Sequence, residues 1–284
     1  HMDLAASIQE KTNQIGVLQA EWVKGQTGEK NLCIGGGVAL NSVMNGVIEK
    51  KGIFDRVYIQ PAAGDAGNAL GSIYLAALAH GEEIPELKRI PFSGPEYSDA
   101  EIETELEKHP VSYVRSKNVA LDAARFVKDG LVIGWFQGRM EWGPRALGSR
   151  SILADPQRKE MHDHINKKVK LREWFRPLAP SVTREAYGKY FTGSPDNTFM
   201  LKVSHVKDPY REVFPAITHV DGTTRVQSVD RDRNPLYHKL LDCLGTIHKH
   251  PVVLNTSFNR QAPIVCTPRE AVACFFSLRL NGFV

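Results

Sequence analysis

Guanidinium groups suit paired contacts with phosphate or carboxylate oxygens, and this sequence concentrates them. Between Arg139 and Arg176, six Arg and four Lys stand against five Asp or Glu, a local excess of five positive charges in a chain of formal charge +4. The stretch Gly138-Arg139-Met140-Glu141-Trp142-Gly143-Pro144-Arg145-Ala146-Leu147-Gly148-Ser149-Arg150-Ser151 is too dense in Arg, Gly and Pro for regular structure, and suits a rigid anion site. Arg145 and Arg150, five apart among glycines, can hold a polyphosphate from two sides. A solvated basic loop fits poorly, because Trp142 and Leu147 call for burial. A second stretch, Asn166 to Pro177, carries Lys170, Arg172 and Arg176 among Trp174 and Phe175. Lys170 and Arg172 alternate as on a strand, so both can face one cleft with Val169 and Leu171 packed behind.

Weaker signals lie elsewhere. Gly35-Gly36-Gly37 leads from a strand towards a helix with Asn41 nearby; such a turn can cradle a phosphate, or hold nothing. Asp65 opens a later helix, either as its N-cap or as a ligand to a metal or nucleotide. His219-Val-Asp221-Gly222-Thr-Thr-Arg225-Val-Gln227 and Asn255-Thr256-Ser257-Phe258-Asn259-Arg260 set small polar groups beside an Arg where a strand would turn. The second follows an apolar strand, and strand ends are a usual place for ligands in α/β sheets. His219 reads as a base or as a structural histidine. There is no Gly-x-Ser-x-Gly elbow, and His162 and His164, two apart on a helix, do not share a face.

Alternating strands and helices position these groups. The pattern predicts a helix over 4–24, strands at 31–34 and 56–60, and helices at 38–49 and 65–80. A linker rich in Pro and Gly follows from Gly81 to Tyr97, containing Pro85, Pro91, Gly94 and Pro95. Ser98 to Glu101 reads as a capping box for a helix to Lys108. Further strands are expected at 112–115, 131–136, 198–206, 224–229 and 252–255, with helices at 118–129, 158–169, 235–248 and 268–278. This is an α/β protein, in which the first 88 residues form a short unit that looks like a piece of a larger domain.

At 284 residues, 42% of them hydrophobic, the chain suits two domains, 1–88 and 89–284. No apolar run approaches a membrane span of roughly 18 residues. Cys33, Cys243, Cys266 and Cys274 never lie within two residues of one another, which fits buried reduced thiols and a cytoplasmic protein. The opening His-Met reads as a tag scar.

Together these stretches resemble the NodU/CmcH-type carbamoyltransferases, which include antibiotic-tailoring O-carbamoyltransferases of biosynthesis. Glu141-Trp-Gly-Pro-Arg-Ala-Leu-Gly-Ser-Arg-Ser151 carries the resemblance, which extends over essentially the whole chain. It implies a YrdC-like twisted mixed-sheet α/β domain, preceded by the carboxyl-terminal fragment of an ASKHA (actin and sugar-kinase-like) domain, in a family of about twice this length. It implies that the YrdC-like domain makes carbamoyl adenylate from ATP, with Mg, and carbamoyl phosphate. The ASKHA domain would then transfer the carbamoyl group to a hydroxyl-bearing small-molecule acceptor. Residues matching the nucleotide and carbamoyl-phosphate site are Arg145, Lys170, Arg172, Arg176, Arg225, Ser257 and Asn259, with Arg150 in the same motif. Arg145, Lys170 and Arg176 take the catalytic places. Gly36, Gly37 and Asn41 would form the ASKHA phosphate loop. Asp65 matches one ligand of a site for Fe or another divalent metal, but its His-x-x-x-His partners are not in this sequence. This chain is therefore expected to perform only the adenylation half-reaction. Asn259 to Pro263 is one residue shorter than the family's stretch, leaving open whether Arg260 takes the place of a donor-binding arginine. The alternative is a non-catalytic YrdC-like module holding nucleotide or RNA, which the near-neutral remainder of the chain disfavours. A homodimer is the base-rate expectation.

Overall fold

The computed structural model describes residues 1–84 and 90–284. Helices α1 (Met2–Thr27) and α2 (Ser42–Lys50) approach closely because Gly16 has no side chain: a Cβ there would lie 2.8 Å from Met44 Cγ. Val17, Ala20, Met44, Ile48 and Phe54 form the small core between them. Strands β1 (Asn31–Ile34) and β2 (Arg56–Ile59) pair in parallel, Asn31 opposite Arg56, and α3 (Ala66–Ala79) follows. The single helix expected from Val38 to Glu49 is broken. Gly37–Leu40 is a 3-10 turn, and Asn41 is extended, with its side chain accepting from Met44 N at 3.1 Å. An Asn able to cap an N-terminus starts a new helix there instead of continuing the old one. Leu4, Ile8, Leu18 and Trp22 of α1, with Ile73, Leu75 and Leu78 of α3, are left exposed.

The domain boundary expected at residue 88 falls within 85–89, outside the described residues. Beyond it come α4 (Asp99–Leu106), with the expected Ser98/Glu101 capping box, and α5 (Val119–Lys128), capped by Asn118. Next are β3 (Ile133–Phe136), β4 (Arg150–Ala154) and α6 (Met161–Asp163), which widens into a π-helical turn at His164–Val169. Then follow β5 (Ala179–Thr183), α7 (Tyr187–Tyr190), β6 (Ser204–His205), α8 (Asp208–Arg211), β7 (Thr223–Thr224) and β8 (Gln227–Val229). The chain finishes with α9 (Pro235–Ile247), β9 (Val252–Ser257), α10 (Pro268–Leu278) and β10 (Gly282–Phe283).

Six of these strands make one mixed sheet in the order β10-β3-β4-β9-β5-β8. Alternation along them divides the core. Ile133, Trp135, Leu153 and Val253 pack under α5 and α9. Ile152, Ala154, Val252 and Leu254 face the other way, onto Ile165, Val169, Tyr187 and Phe214. Each fully buried large apolar side chain contributes roughly 1.5–3 kcal/mol, so both layers are substantial.

Some expectations are corrected. Residues 112–115 form no strand: Val114 is 91% exposed, and Arg115 turns back to Asp99 and Glu103 at 3.1 and 3.0 Å. Most of 198–206 is loop, because Asn197 folds it on itself by bonding Lys202 O and N; only Ser204–His205 pairs, with β7. Cys33 is exposed and the other three thiols are half-buried, so none sits in the core as expected. Among the described residues, no helix is long and apolar enough to cross a membrane.

Candidate anion-binding site

The loop from Trp142 to Ser149 has almost no regular structure, yet its backbone is clamped from both sides. Glu141 is buried, and one of its oxygens, Oε1, accepts the N–H groups of Leu147, Ser149 and Arg150 at 2.6, 2.8 and 3.2 Å. On the carbonyl side, Asn255 Nδ2 donates to Ala146 O, Gln227 Nε2 to Leu147 O, and Trp135 Nε1 to Gly148 O. Gly143 lies so close to the first unit that a Cβ would stand 2.7 Å from Pro61 O. Gly148 adopts φ +96°, and a Cβ there would be 2.1 Å from the Tyr237 ring. Gly148→Ala should therefore lower stability by about 3 kcal/mol or more, visible as an earlier denaturant midpoint. An unchanged midpoint would contradict the clamped loop.

This loop delivers Arg145 to a cavity of about 100 Å³. The cavity is lined by Pro144, Arg145, Ala146, Arg172, Pro177, Leu178, Ala179, Met200, Arg225, Asn255, Thr256 and Ser257. Three guanidiniums therefore meet at the end of β9 with no carboxylate among the lining residues. Among the described residues, Arg145 Nε and Arg225 Nε are buried without a hydrogen-bond partner. Arg172 Nε is held by Asn166 Oδ1 at 2.8 Å. Burial lowers the pKa of Arg145 and of Arg172. Burial and then the nearby charges of Arg145 and Arg172 push that of Arg225 down to about 9. Like charges gathered this way repel one another until an anion joins them.

Lys170 is not among the cavity's lining residues but is bonded to one of them, Ser257. It ends the π-helical turn, so the strand expected to alternate Lys170 with Arg172 is absent: Leu171 has φ +47° and is exposed. The Lys170 ammonium donates to Ser257 O and Oγ at 2.6 and 3.2 Å and to Asn259 O and Oδ1 at 2.8 and 2.6 Å. It thereby joins Ser257, on the cavity wall, to Asn259. Burial, then Arg172, push its pKa down to about 7. The four oxygens oppose this, since only the ammonium carries three donors.

Other expected site residues stand elsewhere. Arg150 is fully buried, donates to Gln137 O, Gly138 O, Ser149 O and Pro95 O, and stacks 3.6 Å from the centre of the Phe136 ring. It holds the loop's base and is not among the cavity's lining residues. Arg176 is exposed and pairs with Glu173 at 2.6 Å. Arg260 turns to Ser277 O at 3.0 Å. His219 contacts Thr223 Oγ1 at 3.1 Å, and burial above all lowers its pKa. In the first unit, Gly36 N donates to Ala63 O, Gly37 opens the 3-10 turn, and Asn41 exchanges hydrogen bonds with Gln9 besides capping α2. Asp65 is exposed and makes no side-chain cap. Among the described residues, no three His, Cys, Asp or Glu come together as a metal site, so these residues alone do not fit a metal centre.

Sequence reasoning passed over Glu141 and Asn166 as anchors. Both stood inside the motif stretches, and a lone acid in a basic loop was the available signal. A far larger open cleft, about 1780 Å³, lies between the first unit and residues 192–211. Its lining mixes cations with the carboxylates of Glu49, Asp55, Asp196, Asp208 and Asp230, and Arg211, Arg184 and Lys202 pair with Asp208, Asp196 and Glu49, so it lacks the carboxylate-free positive charge of the smaller cavity.

The description "Carbamoyltransferase C-terminus" matches residues 124–284, and "Carbamoyltransferase N-terminus" matches residues 1–74. Nodulation protein NolO of Bradyrhizobium diazoefficiens is 42% identical, aligned to 100% of this chain and 53% of its own length. Nodulation protein U of Rhizobium tropici is 33% identical over 82% of this chain and 39% of its own. An uncharacterized Synechocystis protein, sll1178, is 40% identical over 100% and 51%. The chain thus spans about half the length of these relatives. Among solved structures, full-length HypF in its phosphate- and nucleotide-bound form aligns with TM-score 0.44 and 16% identity, over 64% of this chain and 27% of its own. P. abyssi Sua5 aligns with TM-score 0.40 and 13% identity, over 58% and 45%. The chain belongs to the carbamoyltransferase family.

Proposed function

We propose that residues 90–284 form a YrdC-like unit that makes carbamoyl adenylate from ATP and carbamoyl phosphate. The observation that carries this reading is the meeting of Arg145, Arg172 and Arg225 around one small cavity without a carboxylate. An adenylate forms when a carbamate oxygen attacks the α-phosphorus of ATP and pyrophosphate leaves. Carbamoyl phosphate supplies the carbamate by losing its phosphate to water. Both steps gather negative charge on oxygens, and fixed guanidiniums stabilise such charge most where water is excluded. Lys170 keeps Ser257 and Asn259 in place at the cavity's edge. Mg travels with the ATP phosphates.

The first unit is read as part of an ASKHA domain whose remainder the longer relatives carry. The exposed apolar faces of α1 and α3 are the surfaces that remainder would cover. Transfer to the hydroxyl of a small-molecule acceptor, and any Fe or other divalent metal, belong to that complete domain. The test is carbamoyl-phosphate-dependent exchange of label between pyrophosphate and ATP. Exchange is expected with this chain, and its loss in Arg145→Ala combined with Lys170→Ala. Full exchange in that double variant, or salt-sensitive RNA binding without any ATP preference, would overturn the reading.

A further inference from the structure

The cavity's three arginines offer only donors, but a carbamoyl group carries an amino nitrogen that must itself donate. We infer that Asn255 Oδ1 is the acceptor for that amino group, making Asn255 the residue that distinguishes carbamoyl from other acyl phosphates. This rests on the proposed adenylation reading.

The orientation of the Asn255 amide follows from its partners. Nδ2 lies 3.2 Å from Ala146 O, which can only accept. It also lies 3.0 Å from Gln227 Oε1 and 3.0 Å from Ser181 Oγ. Gln227 is itself fixed, because its Nε2 donates to Leu147 O at 2.8 Å, leaving Oε1 to accept. The Ser181 hydroxyl donates to that same Oε1 at 2.7 Å. Every neighbour therefore assigns nitrogen to the loop side, and Oδ1 is the side chain's remaining acceptor. Asn255 is 2% exposed, lines the cavity, and among the described residues its Oδ1 has no partner. A buried acceptor left unmatched is costly, and a ligand N–H relieves that cost. The two hydrogens of Nδ2 are shared among these three acceptors, so the nitrogen cannot turn inwards without breaking hydrogen bonds.

Acetyl phosphate is the decisive probe, because it replaces the amino group with a methyl group and keeps the carbonyl and phosphate. Calorimetric titration of the unchanged chain is expected to show carbamoyl phosphate binding about 10- to 100-fold more tightly than acetyl phosphate. In Asn255→Ala the ratio should fall to about one. Equal affinities in the unchanged chain overturn the assignment of Asn255 alone, since the phosphate site would stand. Failure of both ligands to bind overturns the cavity reading and this inference with it. A preserved ratio in a folded Asn255→Ala protein also overturns the inference, as does loss of ATP binding with the ratio intact, which would give the oxygen to adenine. Should Asn255→Ala not fold, the comparison in the unchanged chain decides.

Discussion

Arg225→Met is expected to make the ligand-free protein more stable and a poorer anion binder. The Arg225 guanidinium is desolvated, has no partner on Nε, and feels the charges of Arg145 and Arg172. Replacing such a buried, unpaired ion with an apolar side chain of similar length is typically neutral or stabilising, by about 1–4 kcal/mol. Methionine follows the same path with a flexible apolar stem. The same change removes one charge-assisted contact to phosphate, worth roughly 1.5–3 kcal/mol, or about 10- to 150-fold in affinity. Thermal unfolding and phosphate calorimetry on the same samples separate the two effects. Stability given up for function is the usual trade at a binding site. A lower melting temperature with undiminished phosphate affinity would mean that Arg225 serves the fold and not a ligand.

Lys170→Met should act in the opposite sense on stability, with an expected loss of about 2–4 kcal/mol. It leaves Ser257 O, Asn259 O and Asn259 Oδ1 without their common donor, and unsatisfied buried acceptors are expensive. The pH dependence is a sharper signature. The Lys170 pKa lies near 7 in the folded chain, against 10.5 for an ordinary lysine. Between those values the unfolded chain holds more protons at this position, so its contribution to folding grows as pH rises. The stability gap between wild type and Lys170→Met should accordingly widen from pH 7 towards pH 10. Chemical denaturation of both proteins across that window is the check, and a constant gap would contradict a depressed Lys170.

The sequence reveals the site's composition better than its geometry. Arg145, Arg172 and Arg225 could be picked out from their motifs, because Arg among Gly and Pro has few other uses. The difference in role between Arg145 and Arg150 could not, since it depends on pairing far along the chain. Arg150 begins β4, and residues 151–154 of that strand pair with β9 a hundred positions later. That register buries the guanidinium against backbone carbonyls. The Lys170-Leu171-Arg172 alternation was misleading for a related reason. A period of two needs a strand partner, and here the chain leaves a π-helical turn through a left-handed Leu171. The caps at Asn118 and Thr267 are local, carried by residues three apart, and the α5 and α10 boundaries follow the sequence closely. The strand expected at 112–115 had suitable residue types but no neighbouring strand to bond.

The most direct test of the account is a crystal structure of this chain grown with carbamoyl phosphate. The predicted result is a phosphate group held by Arg145, Arg172 and Arg225 at the end of β9, beside Asn255 and Ser257. A phosphate bound instead in the open cleft near residues 192–211, with the arginine cavity empty at saturating ligand, would contradict it.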